Sequence, residues 1–397
     1  MKPLEGLTIL DLSHMLSGPT CTGMFAMLGA EVIKIERPGS GDGFRNYTEH
    51  AGPPGLSLPF CAANAGKKSI ALDLTQPASL EVIHRLARRA DIVVENFRPG
   101  VPKNLGLDWD SLRVINPRLI YCSITGFGHT GALSNWGALD QVVQAMSGLL
   151  WMNGEPDDGP VKVGFPVLDT FTGYMSVIAI LAALRRRDIT GHGELIDVAM
   201  LDCALKMMAG PVASYFYTGE LPKRTGNRGY RMVATADLYE TRDGYVILGA
   251  NLQVQYEKFC RAMGRPELIT DPRFINHEAR AANNAALRDC IVQMLRDRTA
   301  AEVESVLAAA EVPVAMVRNL AQITSHPHFS ERALFASAHM PGRSEPITLL
   351  GAGFQMEGDK LEPGAIPRLG EHTDEVLAAL GYDAASIATL RQAGAAF

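Results

Sequence analysis

Apolar and polar residues alternate in blocks over the first 125 positions of the chain. Four short runs rich in Leu, Ile and Val read as strands: Leu7–Leu12 (LTILDL), Glu31–Glu36 (EVIKIE), Asp91–Glu95 (DIVVE) and Leu119–Ile124 (LIYCSI). Cys21–Leu28 and Ala78–Arg89 carry apolar residues at helical spacing instead. Strands that alternate with helices predict an α/β fold with a doubly wound, Rossmann-like parallel sheet. A ligand site is then expected outside the carboxyl ends of the strands.

The texture changes near Gly226. Asp237–Gly249 (DLYETRDGYVILG) reads as a hairpin turning at Asp243-Gly244, and Tyr256–Met263, Asn283–Arg296 and Thr299–Ala310 read as helices. The pattern predicts a large domain over residues 1–225, a smaller α+β domain over 226–325, and a carboxyl-terminal segment, 326–397, that returns to the large domain. That segment reads as polar loops ending in a last helix, Thr373–Leu380. The longest apolar run, Tyr174–Leu184, stops at Arg185-Arg186-Arg187 and reads as too short to span a bilayer. The arginines suit the negative end of a helix dipole.

Composition narrows the class. The 397 residues exceed one ordinary core, and 47% hydrophobic with 20% charged residues describes a soluble globular protein. A net charge of −6 argues against nucleic acid or an anionic membrane as partner, since both reward basic patches. Six cysteines stand singly, which suits reduced thiols and a cytoplasmic location. The amino terminus runs directly into a strand pattern, so no signal peptide is expected. The ten histidines show no metal-ligand spacing; the close pair His326 and His328 is interrupted by Pro327.

Among candidate reactive groups Asp169 stands out. It lies in Gly164–Gly173 (GFPVLDTFTG), between a Gly–Pro turn and the apolar run. A carboxylate at a loop-to-helix junction in apolar surroundings is a candidate nucleophile; Asp at the same place is also a common helix cap. The loop after the first strand, Ser13–Pro19 (SHMLSGP), has one glycine where a dinucleotide fingerprint needs three, which argues against NAD. Gly126–Gly131 is glycine-rich but lacks a phosphate-binding lysine. Asn96 and Phe97 sit on a strand-end turn where an amide can bond a ligand and a ring can cover a base; an ordinary turn explains them equally well. Arg37 and Arg45 flank the glycine-rich loop Pro38–Gly43, as phosphate contacts or as solvated surface charges. A further cationic group, Lys223, Arg224, Arg228 and Arg231, reads either as a soluble linker or as a receptor for the distal carboxylate of a diacid.

Several segments together resemble the family III CoA-transferases, the group that contains formyl-CoA transferase and L-carnitine CoA-transferase. They are Pro3–Ser13 (PLEGLTILDLS), Ser17–Pro19, Gly29–Glu36 (GAEVIKIE), Lys67–Leu74 (KKSIALDL), Glu95–Gly100 (ENFRPG), Gly126–Gly128, Asp197–Met200 (DVAM) and Leu369–Glu375 (LGEHTDE). They run in order along nearly the whole chain. The resemblance implies a catalytic aspartate at Asp169 that forms acyl-anhydride and CoA-thioester intermediates, with a neighbouring acid at Asp140. It implies coenzyme A as cosubstrate, contacted by the backbone of Met15, Leu16 and Ser17 and at Arg37, Leu72, Asn96, Phe97 and Leu105. Positions that are basic in formyl-CoA transferase fall on Thr75, Gly137 and Asn104, with Lys103 beside the last. It implies small carboxylic acids as partners and an interlocked homodimer. The related α-methylacyl-CoA racemases pair a His–Asp segment with a second Asp; here that segment is Leu139-Asp140, and leucine carries no proton. A CoA-binding protein without turnover is the reading from a different class.

Overall fold

The computed structural model describes residues 2–47, 53–229 and 233–397. The chain divides into two compact units, one of Met1–Ser147, Val163–Val212 and His328–Phe397, the other of Gly148–Lys162 and Ala213–Pro327. The second unit therefore starts before residue 226 and includes an excursion just ahead of Asp169. The pattern gave no sign of it, because the excursion is held by long-range bonds: the Gly226 N–H donates to Gly154 O over 3.1 Å.

The first unit is built on six parallel strands: β1 (Thr8–Asp11), β2 (Glu31–Glu36), β3 (Lys68–Ala71), β4 (Ile92–Glu95), β5 (Ile120–Thr125) and β6 (Leu195–Ala199). Their order is β3-β2-β1-β4-β5-β6. The chain winds outward from β1 to β3 and then crosses back to β4, so the topological switch lies between β1 and β4. An open parallel sheet splays its loops apart there, which makes a crevice. Successive side chains feed opposite cores. Ile9, Val32, Ile92 and Ile120 point into one, and Leu10, Ile33, Val93 and Tyr121 into the other.

Four helices position the site. α1 (Ser17–Met27) follows β1, α2 (Pro77–Arg89) covers the opposite face, and α3 (Asp140–Met146) and α4 (Val167–Thr190) follow β5. α1 and α4 pack so closely that a Cβ on Gly173 would lie 2.7 Å from the Ser17 carbonyl oxygen. α4 has 24 residues, far longer than the apolar run suggested, and by length and composition alone it is long enough to cross a bilayer. Its contacts explain its apolarity: Val177, Ile180 and Leu184 pack beneath the sheet, and the nearly buried Arg187 pairs with Asp91 at 3.0 Å.

The carboxyl-terminal segment joins the first unit. Ala395 O accepts from Asp73 N–H and the Ser79 hydroxyl, while Val376, Leu377 and Leu390 enter the α2-side core. This segment is more ordered than its polarity suggested. It holds a strand pair, Phe335–Ala338 with Ile347–Leu350, and a further helix, Ala384–Gln392, beyond Thr373–Ala379. In the second unit the hairpin at Asp243-Gly244 pairs Leu238–Glu240 with Tyr245–Leu248, and Val314–Met316 adds a third antiparallel strand. Helices Gln253–Ala262, Asn284–Leu295 and Ala300–Ala309 close its core around Tyr239, Phe259, Ile291 and Leu307.

Candidate active site

Asp169 is the third residue of α4, and it does not cap that helix. Asp140 does. Its Oδ2 accepts from the N–H of Leu168 at 2.7 Å and of Asp169 at 3.1 Å, and its Oδ1 accepts from the Gln144 side-chain amide. Gln144 is fixed in turn because its Oε1 accepts from Val163 N–H at 2.9 Å. The N–H groups that would ordinarily steady a carboxylate on the first turn are therefore spent on another acid. Asp169 is half-buried and Asp140 buried. Burial raises the Asp169 carboxyl to about 6, the charge of Asp140 adds to the rise, and the facing Ser17 hydroxyl pulls the other way. Near neutral pH Asp169 is thus ionised yet poorly solvated, which suits a nucleophile.

Ser17 opens α1, and the loop before it is held residue by residue. The Ser13 N–H donates to Asp11 Oδ1 at 3.0 Å, and Ser13 O accepts from Lys34 Nζ at 2.7 Å. His14 N–H donates to Asn96 Oδ1 at 2.9 Å, and Asn96 Nδ2 donates back to His14 O at 2.8 Å. Met15 N–H donates to Asp42 Oδ1 at 3.0 Å. Beneath the loop lies a buried charge network. Lys67 pairs with Asp11 at 3.0 Å, Lys34 with Asp42 at 2.9 Å, and Arg45 with Glu36 at 2.6 Å. Burial pushes Asp11 up, but Lys67, Lys34 and two hydroxyls outweigh it and hold it well below the ordinary carboxylate range. Burial also lowers Lys67, to about 8, against the pull of Asp11.

The structure brings Asp140, Asp169 and Ser17 together and joins Asn96 to the Ser13–Ser17 loop. One expectation, that for Arg45, needs correction, and two others are narrowed. The Asn96 amide bonds His14 at both ends and so braces the loop, a pairing that uses one of its two N–H groups. Leu72 is 1% exposed with its side chain in the core, so a contact there falls to its backbone. Arg45 is 2% exposed, clamped by Glu36 and stacked 3.9 Å over the Phe60 ring, so it is no phosphate ligand. Met15 and Leu16 are half-buried, whereas Arg37 and Lys103 are exposed. Phe97 and Leu105 rest partly buried on the α2-side core, and the Phe97 ring lies 5.9 Å from that of His14. Of the cationic group, Arg228 faces Asp237 at 3.8 Å, an acid also paired with Arg288, and Arg224 lies over Trp151; Arg231 falls outside the described residues. Sequence reasoning missed Asp11, Lys34, Asp42 and Lys67. A signal was present, since Asp11 and Lys34 are charges inside buried-strand patterns, and a buried charge demands a partner.

The profile described as CoA-transferase family III matches residues 4–373. The chain belongs to that family. It is 38% identical over 373 residues to an acetyl-CoA:oxalate CoA-transferase of Acetobacter aceti, covering 93% of each chain. It is 35% identical to a succinate–glutarate CoA-transferase of Agrobacterium fabrum, covering 95% of this chain and 96% of the other. The solved structure of a CAIB/BAIF family protein from Brucella suis superposes with a TM-score of 0.86 at 35% identity, covering 96% and 99%. The protein is a CoA-transferase of family III.

Proposed function

We propose that this CoA-transferase moves CoA from an acyl-CoA donor to a small dicarboxylic acid through covalent intermediates on Asp169. The observation that carries the mechanism is the environment of that carboxylate: half-buried, facing a second acid, and raised to about 6. The Asp169 oxygen attacks the thioester carbonyl, the C–S bond breaks, and CoA leaves as thiolate beside a mixed anhydride. The thiolate then attacks the Asp169 carbonyl, releasing the donor acid and leaving an aspartyl thioester. The acceptor carboxylate attacks that thioester, a second anhydride forms, and the expelled thiolate takes the acceptor acyl group and frees Asp169. Each intermediate stays activated only if water is kept from it.

The named activities of the relatives, on oxalate and on succinate and glutarate, support a dicarboxylate as acceptor. The family resemblance supports an interlocked homodimer, and six free cysteines support a reducing, cytoplasmic setting. Mass spectrometry of enzyme incubated with succinyl-CoA and hydroxylamine should find the hydroxamate at Asp169. Asp169→Ala should lose at least about 1,000-fold in transfer while still binding CoA, as expected for removal of a nucleophile. Retained transfer sinks the covalent mechanism. Exchange of the substrate α-proton without transfer points to a racemase, and equal rates with a diacid and its matching monoacid remove the dicarboxylate.

A further inference from the structure

Met15 is one of three non-glycine residues in the left-handed region among those described, with φ 65°. A side chain with a Cβ is crowded there, so something must hold it. What holds it is Asp42. One carboxylate oxygen accepts the Met15 N–H at 3.0 Å, and the other meets Lys34 Nζ at 2.9 Å. The same ammonium donates to Ser13 O at 2.7 Å, so the two ends of one ion pair grip residues 13 and 15. The pair itself cannot drift. Both side chains are within 1% of full burial, Asp42 N–H is bound to Glu36, and Asp42 also accepts the Phe44 N–H. The Met15 side chain packs on a small core with Phe44, Leu56 and Phe60, while the next residues, Leu16 and Ser17, open α1 beside Asp169. Without the grip, Met15 relaxes to a common backbone region, and the start of α1 turns away.

We infer that Asp42 is a positioning residue for acyl-CoA: with Lys34 it keeps Met15 left-handed and so presets the Ser13–Ser17 loop beside Asp169 before substrate arrives. The inference rests on the reading that this loop contacts CoA. Its effect falls on binding and on the placement of the thioester, with Asp169 itself unaltered.

The test uses the full-length enzyme and two variants, Asp42→Asn and Asp42→Asn combined with Met15→Gly. Calorimetric binding of free CoA, the KM for succinyl-CoA and the melting temperature are measured for each. Asp42→Asn sets an amide N–H against the Lys34 ammonium, donor against donor, so either the amide turns and releases the Met15 N–H or Lys34 moves off Ser13 O. CoA binding should weaken and KM rise on the order of 10-fold, with a smaller change in kcat, as expected for a displaced contact loop. Glycine takes the left-handed geometry freely, so the added Met15→Gly should restore most of the affinity without restoring the melting temperature. Unchanged affinity in Asp42→Asn, or a loss that Met15→Gly does not recover, overturns the inference. If Asp42→Asn does not fold, Met15→Val and Met15→Gly decide: valine must weaken CoA binding more than glycine, and the reverse order overturns the inference. Binding of free CoA does not require Asp169 to react, so a missing hydroxamate in the parent enzyme counts only against the transfer mechanism.

Discussion

Two carboxylates border the same short helix, α1, in opposite surroundings. Asp11 lies wholly buried at its inner side, where it accepts from the Thr22 and Ser13 hydroxyls and pairs with Lys67. Asp169 lies half-buried at its start, facing the Ser17 hydroxyl and the charge of Asp140. Asp11 is held far down by its cations, and Asp169 is pushed up by burial and a like charge. Burial alone does not make an acid reactive, because Asp11 is the more buried of the two. The difference is compensation: the first region matches each buried acid with a cation, and the second withholds one. Uncompensated charge at a site is a cost to folding that function retains.

The sharpest way to break this contrast is to remove compensation from the first region. Lys67→Met leaves Asp11 buried without its direct cation and should destabilise the protein by about 3–5 kcal/mol, since stranding one partner of a buried pair costs more than the pair contributes. Urea unfolding measures this. A neutral outcome would mean that Lys34 and the hydroxyls alone compensate Asp11, and the matched network would lose its meaning.

Removing the uncompensated charge should act the other way. Asp169→Asn abolishes transfer but keeps the shape. The folded carboxyl titrates at about 6 against an ordinary value of 3.8. Below that ordinary value it is neutral in both states and burial costs nothing extra; the cost grows across pH 4 to 6 and is complete above. The variant should therefore be more stable than the parent at pH 8, by about 1–3 kcal/mol once partial exposure is discounted, and no more stable at pH 4. A gain of equal size at both pH values would show that the carboxylate is not strained by its charge.

How much of this was legible depends on distance along the chain. β2 coincides with Glu31–Glu36 because a strand between two turns declares itself locally. The apolar pattern shows only the middle of α4, since Pro166, Thr170, Thr172 and Gly173 disguise its first turns; Gly173 is there for close packing on α1, and it does not break the helix. β3 (KSIA) has one large apolar residue between small ones, and β6 (LIDVA) is interrupted by Asp197 and exposed at its outer end, so neither presents the apolar run of β1 or β4. The candidate nucleophile was visible in its own ten residues. Its setting was not: the cap on α4 comes from Asp140, 29 positions before Asp169, and nothing local announces it. Met15 was equally hidden, because methionine carries no sign of a left-handed backbone, whereas glycine does.

The smallest expected effect probes the like charge itself. Asp140→Asn keeps an oxygen that can accept the N–H groups of Leu168 and Asp169, so the start of α4 stays capped. It removes the negative charge that helps raise Asp169. The acid limb of the kcat/KM profile, set by Asp169 near pH 6, should therefore move to lower pH, while burial keeps it above the ordinary carboxylate value. The new amide nitrogen faces the Gln144 amide, donor against donor. Gln144 can turn to meet it only by giving up the Val163 N–H, so stability should fall by about 1 kcal/mol, the usual cost of one unmade hydrogen bond. A limb that stays in place would mean that burial alone raises Asp169, and that Asp140 serves only as the cap of its helix.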